Sequence, residues 1–171
     1  MQNNLSREIA LAGMFIAIGV LLPLFFHKIG AGPMFLPMHI PVLIAGFALS
    51  MPFSIIVGAA TPVLSSLISG MPPMFPVLPY MVFELTAYSL SACVFYRTIK
   101  AGIYISLLAS MIIGRTVSGI VVWLLASFLG AALPGPVAFV CAGAIASLPG
   151  IIIQLAIIPL VIFRLEQNAL I

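Results

Sequence analysis

The scarcity of charged side chains constrains this chain more than any other feature of its sequence. Six Lys and Arg and three Glu are spread over 171 residues, and Asp is absent. Charged residues make up 5% of the chain and hydrophobic residues 64%, whereas a soluble domain has about 25% and about 45–50%. So little polar surface cannot cover a water-soluble fold, and the outside of the protein must therefore face lipid.

Six apolar stretches, separated by Gly, Pro and charged residues, predict membrane helices. A crossing needs about 20 residues, so the chain has room for about six or seven crossings and no second domain. The second stretch is short for a crossing; the six cover residues 9–26, 39–49, 53–69, 80–96, 102–129 and 137–163. We predict an all-α integral membrane protein with six transmembrane helices in a single domain, residues 1–171.

Basic residues predict the orientation of these helices. Four of the six lie at the two termini and between the fourth and fifth helices, namely Arg7, Arg97, Lys100 and Arg164. An even number of crossings puts these four on one side of the membrane and Lys28 on the other. Because Lys and Arg concentrate in cytoplasmic segments, we expect both termini to be cytoplasmic. The net charge of +3 then reflects topology rather than a nucleic-acid partner.

The sequence lacks the motifs that would support catalysis or a resident cofactor. No G-x-x-x-x-G-K-[ST] loop occurs, so energy for transport must come from an ion gradient or a partner. The absence of Asp excludes intramembrane aspartyl chemistry, and Cys93 and Cys141 lack metal-type spacing. Met residues in the outer loops could attract a soft metal, but neighbouring Phe residues favour packing. We therefore predict no enzyme activity, no cofactor and no metal site.

Two charged residues, Glu84 and Arg115, fall inside predicted membrane helices. A charge at the bilayer centre costs about 2.5–3.5 kcal/mol even on lenient scales, so it is either paired or functional. Glu84 lies 13 residues from Arg97, and Arg115 lies 15 residues from Lys100. At about 1.5 Å per residue, both sit roughly 20–22 Å above the cytoplasmic boundary, in the same layer. They could form a structural ion pair between two helices or hold a polar substrate.

Polar residues at helical spacing favour a substrate pocket. Two stripes carry them: Tyr80, Glu84, Tyr88 and Ser91 on the fourth helix, and Gly143, Ser147, Gly150 and Gln154 on the sixth. A single ion pair between helices would not need whole faces of hydroxyl and amide groups, whereas ligand sites combine apolar walls with a few placed polar groups.

Small residues at four-residue spacing predict close helix packing. The fifth helix carries Gly102, Ser106, Ser110, Gly114 and Ser118 in this way, and the third carries Thr61, Ser65 and Ser69. Gly13 and Ala17 form a similar pair on the first helix. Their spacing leaves open whether the partner is internal or another protein.

Six segments carry a resemblance to a known family. They are LPMHIPVLIAGF (36–47), TPVLSSL (61–67), GMPPMFP (70–76), FELTAY (83–88), GRTVSG (114–119) and LPGIIIQ (148–154). The order of these segments and the length of the chain, enough for six helices, resemble those of a substrate-binding S component of an energy-coupling factor (ECF) vitamin importer.

The resemblance implies a protein of the prokaryotic plasma membrane that captures a vitamin or its precursor at the outer face. Three outer loops would join the helices, around residues 30–38, 70–79 and 130–136. The first and third of them would occlude the cargo. A transmembrane coupling protein with two ATPase subunits would drive the tipping movement that delivers it inside. The family's docking residues on the first helix match Gly13 and Ala17 here. Its ligand contacts map onto Tyr80, Glu84, Tyr88, Arg115 and Gln154.

His39 begins the second helix, beside the first outer loop. A lone His at a membrane interface is most simply an amphipathic anchor, but we keep His39 among the candidate substrate contacts. The Met38-His39 pair is similar to the amino-terminal Met-His motif of nickel and cobalt S components. Because the pair is internal here, the resemblance does not support metal uptake.

Two other functions remain open. A stand-alone secondary transporter would use Glu84 as its ion-coupling site, and a non-transporting assembly protein would bind no small molecule. The substrate is open as well. A buried Arg favours a carboxylate such as pantothenate or nicotinate, but a pair between Glu84 and Arg115 would remove that preference.

Overall fold

The computed structural model describes residues 2–28, 30, 32–129 and 133–167. Over these residues the chain is helical and contains no β-strand. The helices are α1 (Gln2–Lys28), α2 (Gly32–Phe35), α3 (His39–Ala48), α4 (Met51–Ser69), α5 (Val77–Cys93), α6 (Ile103–Leu129), α7 (Pro136–Ala146) and α8 (Leu148–Gln167). A π-helix, Val94–Thr98, continues α5 without a break.

Within the described residues, five segments are long and apolar enough to cross a membrane: Leu5–Phe26, Met51–Ser69, Val77–Thr98, Ile103–Phe128 and Leu148–Gln167. They confirm the prediction of an all-α membrane protein. The two shorter apolar helices, α3 and α7, have 10 and 11 residues. At about 1.5 Å per residue each reaches roughly half of a hydrocarbon core about 30 Å thick, so the described helices do not by themselves give six full crossings.

The prediction of one continuous helix over residues 137–163 is wrong. The structure divides it into α7 and α8, with Ser147 between them. Pro149 gives the physical reason, because it has no N–H to bond the carbonyl oxygen four residues earlier and its ring clashes there. Its fixed backbone angle instead suits the first turn of a new helix.

Helix α3 lies at the centre of the bundle, packed against α1, α4, α5 and α8. Val42, Leu43 and Ala45 are fully buried, as expected for a helix that is apolar on every face. A Cβ atom on Gly46 would lie 2.4 Å from the backbone oxygen of Ser89, so glycine is needed for α3 to touch the α5 backbone. The short helix is therefore a core element rather than a surface one.

The small-residue stripe on α6 packs as predicted. Ser106, Ser110, Gly114 and Ser118 are buried, whereas Gly102, which precedes the helix, is exposed. A Cβ atom on Gly114 would lie 2.9 Å from the ring of Tyr88 on α5. The stripe therefore brings α5 and α6 close together, at the level of the two membrane-embedded charges.

One end of the bundle gathers the polar ends of several helices. Three contacts join them: the Ser50 hydroxyl donates to Glu8, Arg97 Nη1 donates to the Ala48 carbonyl oxygen at 3.2 Å, and the Tyr96 hydroxyl donates to Glu166. The start of α1, the end of α3, the end of the α5 span and the end of α8 thus lie at the same level. The side chain of Lys28, expected on the opposite side, is outside the described part.

Candidate functional site

A cavity of about 330 Å³ lies between the first turns of α5 and the residues that precede α3. Its wall comes from six segments: Pro23 on α1, residues 36–39, residues 71–73, the α5 face from Val77 to Glu84, Arg115 on α6, and the inner face of α7. The first turns of α5 line the cavity, and the π-helix that continues α5 carries Tyr96 in the cluster of polar helix ends. The cavity and this cluster therefore occupy opposite ends of the bundle.

Serine hydroxyls on α4 hold the loop that forms one wall of the cavity. Ser65 Oγ donates to the Met71 carbonyl oxygen at 2.8 Å, and Ser66 Oγ donates to the Pro72 carbonyl oxygen at 2.7 Å. Gly70 ends α4 in the left-handed conformation (φ +72°) that turns the chain into this loop. The spacing of Ser65 from Thr61 and Ser69 predicted helix packing, and its contact with the loop could not be read from that spacing; Ser66 was not part of the predicted stripe.

Glu84 and Arg115 form an ion pair inside the bundle. Arg115 Nη1 lies 3.0 Å from Glu84 Oε1, and the Glu84 residue is 2% exposed. The equal heights worked out from helix rise are therefore correct, and α5 and α6 bring the two residues together. Each charge has its counterion within the protein.

Arg115 is also held from the side of α7 and α8. Its Nη2 donates to Ser147 Oγ at 3.3 Å, and that hydroxyl donates to the Gly143 carbonyl oxygen at 2.7 Å. The break between α7 and α8 thus presents a hydroxyl to the guanidinium. The polar stripe predicted on this segment supplies Ser147 and Gly143 to the site.

His39 is a core residue, so its interpretation as an interfacial anchor is wrong. It is 3% exposed, lines the cavity, and places Nε2 3.7 Å from Glu84 Oε1. Its ring meets the edge of Tyr88, with ring centroids 5.2 Å apart at 75°. Neither ring nitrogen of His39 has a hydrogen-bond partner among the described residues.

The remaining candidates divide into wall residues and residues behind the wall. Tyr80 lines the cavity and packs edge-on against Phe139 of α7, with centroids 5.1 Å apart. Tyr88 is 3% exposed and lies behind His39 rather than on the wall. Gln154 is buried on α8, seven residues beyond Ser147, and is not part of the cavity wall.

Sequence reasoning missed several wall residues. They are apolar, and include Phe139 and Met81. The helical position of Met81, next to Tyr80, and that of Phe139, one turn before Gly143, were the available signals. In a chain with this many apolar side chains, such signals do not stand out.

Gly13 and Ala17 both lie on the outer surface of α1. A Cβ atom on Gly13 would meet nothing within 4 Å. By contrast, a Cβ on Gly19 would lie 2.5 Å from Thr61 Cγ2, so that part of α1 packs inward on α4. The partner of the Gly13–Ala17 pair is therefore not another part of the described chain.

Comparison with protein families gives a match over most of the chain. The model of the family described as "ECF transporter, substrate-specific component" matches residues 7–162, about nine-tenths of the chain. The matched stretch includes every residue of the cavity wall. Searches of the curated proteins and of the solved structures give no match.

Proposed function

Because this chain belongs to the family of ECF transporter substrate-specific components, we propose that it captures a vitamin or vitamin precursor for import. The observation that carries the proposal is the buried Glu84–Arg115 pair on the wall of a cavity of about 330 Å³. A membrane protein that only needed to join two helices would have no use for a cavity beside the joint. Small-molecule sites combine such apolar walls with a few fixed polar groups.

We propose that the chain forms a single domain with six crossings and both termini in the prokaryotic cytoplasm. In this topology α3, with the segment before it, provides the second crossing, and α7 with α8 provides the sixth. The contacts that gather the polar helix ends at one end of the bundle support it, because Arg97 lies there and basic residues mark the cytoplasmic side. The cavity then belongs to the outer half of the membrane.

Capture would proceed from the outside, through the loops that form the outer wall. Residues 36–38 of the first outer loop and 71–73 of the second line the cavity and would close on the substrate. The third outer loop, which was also expected to close, includes residues 130–132, which lie outside the described residues. Tyr80 and Phe139 would hold its apolar body, while His39, Glu84 and Arg115 would contact its polar groups. Tyr88 would act indirectly, by orienting the His39 ring against which it packs.

Delivery would depend on a coupling protein and two ATPase subunits. The exposed Gly13 and Ala17 would let a helix of the coupling protein approach the α1 backbone closely, as small residues do at helix contacts in membranes. The open space around Gly13 supports this role. A bulky residue there would fill the docking surface without disturbing the interior of the protein.

Co-expression with an ECF coupling protein and its two ATPases tests the proposal. We expect a complex that survives purification, and vesicles containing it should take up substrate in an ATP-dependent manner. Uptake by the chain alone that collapses with an ionophore and ignores ATP depletion would instead favour a secondary transporter. The engagement of Glu84 with Arg115 argues against that alternative, because an ion-coupling carboxylate must be free to bind and release its ion.

A further inference from the structure

The charges on the cavity wall cancel within the protein. Among the described residues that line it, Glu84 and Arg115 are the ionised side chains, and they are 3.0 Å apart. The formal charges of these two side chains sum to zero. Tyr80 on the same wall is a phenol that is uncharged in neutral solution. The cavity therefore presents hydrogen-bonding groups without a spare charge.

From this arrangement we infer that the substrate is a compact molecule without net charge, with an apolar body and one polar edge. The inference rests on the proposed function and names the class of substrate for the same cavity. It removes the preference for a carboxylate that an unpaired Arg would give, because Glu84 already holds the guanidinium.

A charged guest would lack a counterion in this site. An anion would have to share Arg115 with Glu84, and the excess negative charge would lie among Met, Pro, Leu and aromatic side chains. A cation would have to share Glu84 with Arg115, and an excess of positive charge would lie in the same apolar surroundings. Burying a charge without a partner is far more costly than burying a hydrogen-bonded neutral group. A neutral guest adds no such cost.

Polar atoms of His39 and Arg115 are left without partners beside the cavity. Both ring nitrogens of His39 and the Nε of Arg115 are buried and lack a hydrogen-bond partner among the described residues. The two ring nitrogens point to opposite sides of the imidazole, so one substrate edge reaches only one of them. An amide both donates and accepts, so it would bond Arg115 Nε–H and that nitrogen in either tautomer of the ring, whereas a carboxylate only accepts and would need an N–H there.

The size of the cavity limits the body of the substrate. A volume of about 330 Å³ is at the lower end of the range of about 300–1,000 Å³ for small-molecule pockets. Tyr80 and Phe139 meet edge to face at its wall, and rings favour further ring contacts of this kind. One aromatic ring system with a short polar substituent fits these dimensions.

Two series of matched probes test the inference. Nicotinamide, nicotinate and 3-(aminomethyl)pyridine share one ring and differ in charge, as do indole-3-acetamide, indole-3-acetate and tryptamine. Affinities for the purified protein are measured by isothermal titration calorimetry at neutral pH. We expect the neutral amide of at least one series to bind about tenfold or more tightly than its acid and its amine. Tightest binding by a charged member, or no preference in either series, would overturn the inference.

Charge variants give a second readout. In Glu84→Gln the guanidinium loses its counterion, so the acid should become the tightest member of its series. In Arg115→Gln the amine should become the tightest. Glu8→Gln is the matched control, because Glu8 contacts Ser50 at the other end of the bundle, and it should keep the wild-type order. An unchanged order in Glu84→Gln would contradict the inference.

The proposed function is tested by two other measurements, complex formation with the ECF module and ATP-dependent uptake. If both occur but the acid or amine binds tightest to the wild-type protein, the neutral-substrate inference fails alone. If neither occurs, the proposed function fails whatever the order of the probes.

Discussion

Replacing Arg115 by Met should destabilise the protein by about 3 kcal/mol, because it leaves the Glu84 carboxylate buried without its counterion. Opposite unit charges 3.0 Å apart attract by about 5–6 kcal/mol at an effective dielectric constant of about 20. Removing one partner of a buried pair costs about 3–5 kcal/mol. We take the lower end because the Arg115 side chain is 16% exposed and His39 lies 3.7 Å from Glu84.

The assay is thermal unfolding in detergent, arranged as a double-mutant cycle. For a chain of this length, about 3 kcal/mol corresponds to a fall in Tm of roughly 6–12 °C. Adding Glu84→Gln to Arg115→Met should recover much of the loss, because replacing both partners of a buried pair by neutral groups is often close to neutral in free energy. The control Glu166→Gln, at an exposed carboxylate, should change stability by less than about 1 kcal/mol.

The coupling energy decides the outcome. If the pair is as close and as buried as described, the two substitutions should be non-additive by about 2 kcal/mol or more. Additivity within about 0.5 kcal/mol would mean that Glu84 and Arg115 do not interact in the folded protein, and the reasoning from their common layer would be refuted.

Three further predictions concern the surfaces around the site. Gly13→Trp should abolish co-purification with the coupling protein while sparing substrate affinity. The control Ile112→Trp, at an exposed position on α6, should leave both the complex and the affinity intact. A normal complex with Gly13→Trp would contradict the docking role. Replacing Ser65 and Ser66 together by Ala removes both hydroxyl contacts to the 71–72 loop. Because each bond contributes about 1 kcal/mol, substrate dissociation in a radioligand washout should become about tenfold faster or more. An unchanged dissociation rate would show that the loop does not close the cavity. Gly114→Ala would place a Cβ 2.9 Å from the Tyr88 ring on α5. It should lower the free energy of unfolding by about 1–3 kcal/mol, measured by thermal unfolding. An unchanged Tm would show that α5 and α6 are not in such close contact.

The sequence predicted the membrane class and the level of the two charges, because both follow from simple quantities. Apolar content decides whether a chain can face water, and helix rise converts residue number into height. Residue number does not tell how each helix is rotated about its own axis, and therefore which neighbour a side chain faces. The pairing of Glu84 with Arg115, rather than of each with a ligand, needed the three-dimensional arrangement.

The errors have local physical causes. The division between α7 and α8 was signalled by Pro149, but the apolar run on both sides resembles one long helix. His39 was assigned to the interface because it follows an outer loop in sequence, whereas Pro37 and Met38 just before it are buried and His39 lies beside Glu84. Gln154 shares a stripe with Ser147 but lies about 10 Å further along the helix, beyond the wall of the cavity.

The most direct test of the central claim is mass spectrometry of small molecules released from the purified protein. The wild-type chain and the Glu84→Ala/Arg115→Ala variant are purified side by side from the same cells. A vitamin-like compound should be released from the wild-type protein in near-stoichiometric amount and be strongly depleted in the variant. The absence of any such compound, or its equal release from both proteins, would contradict capture of a substrate in this cavity.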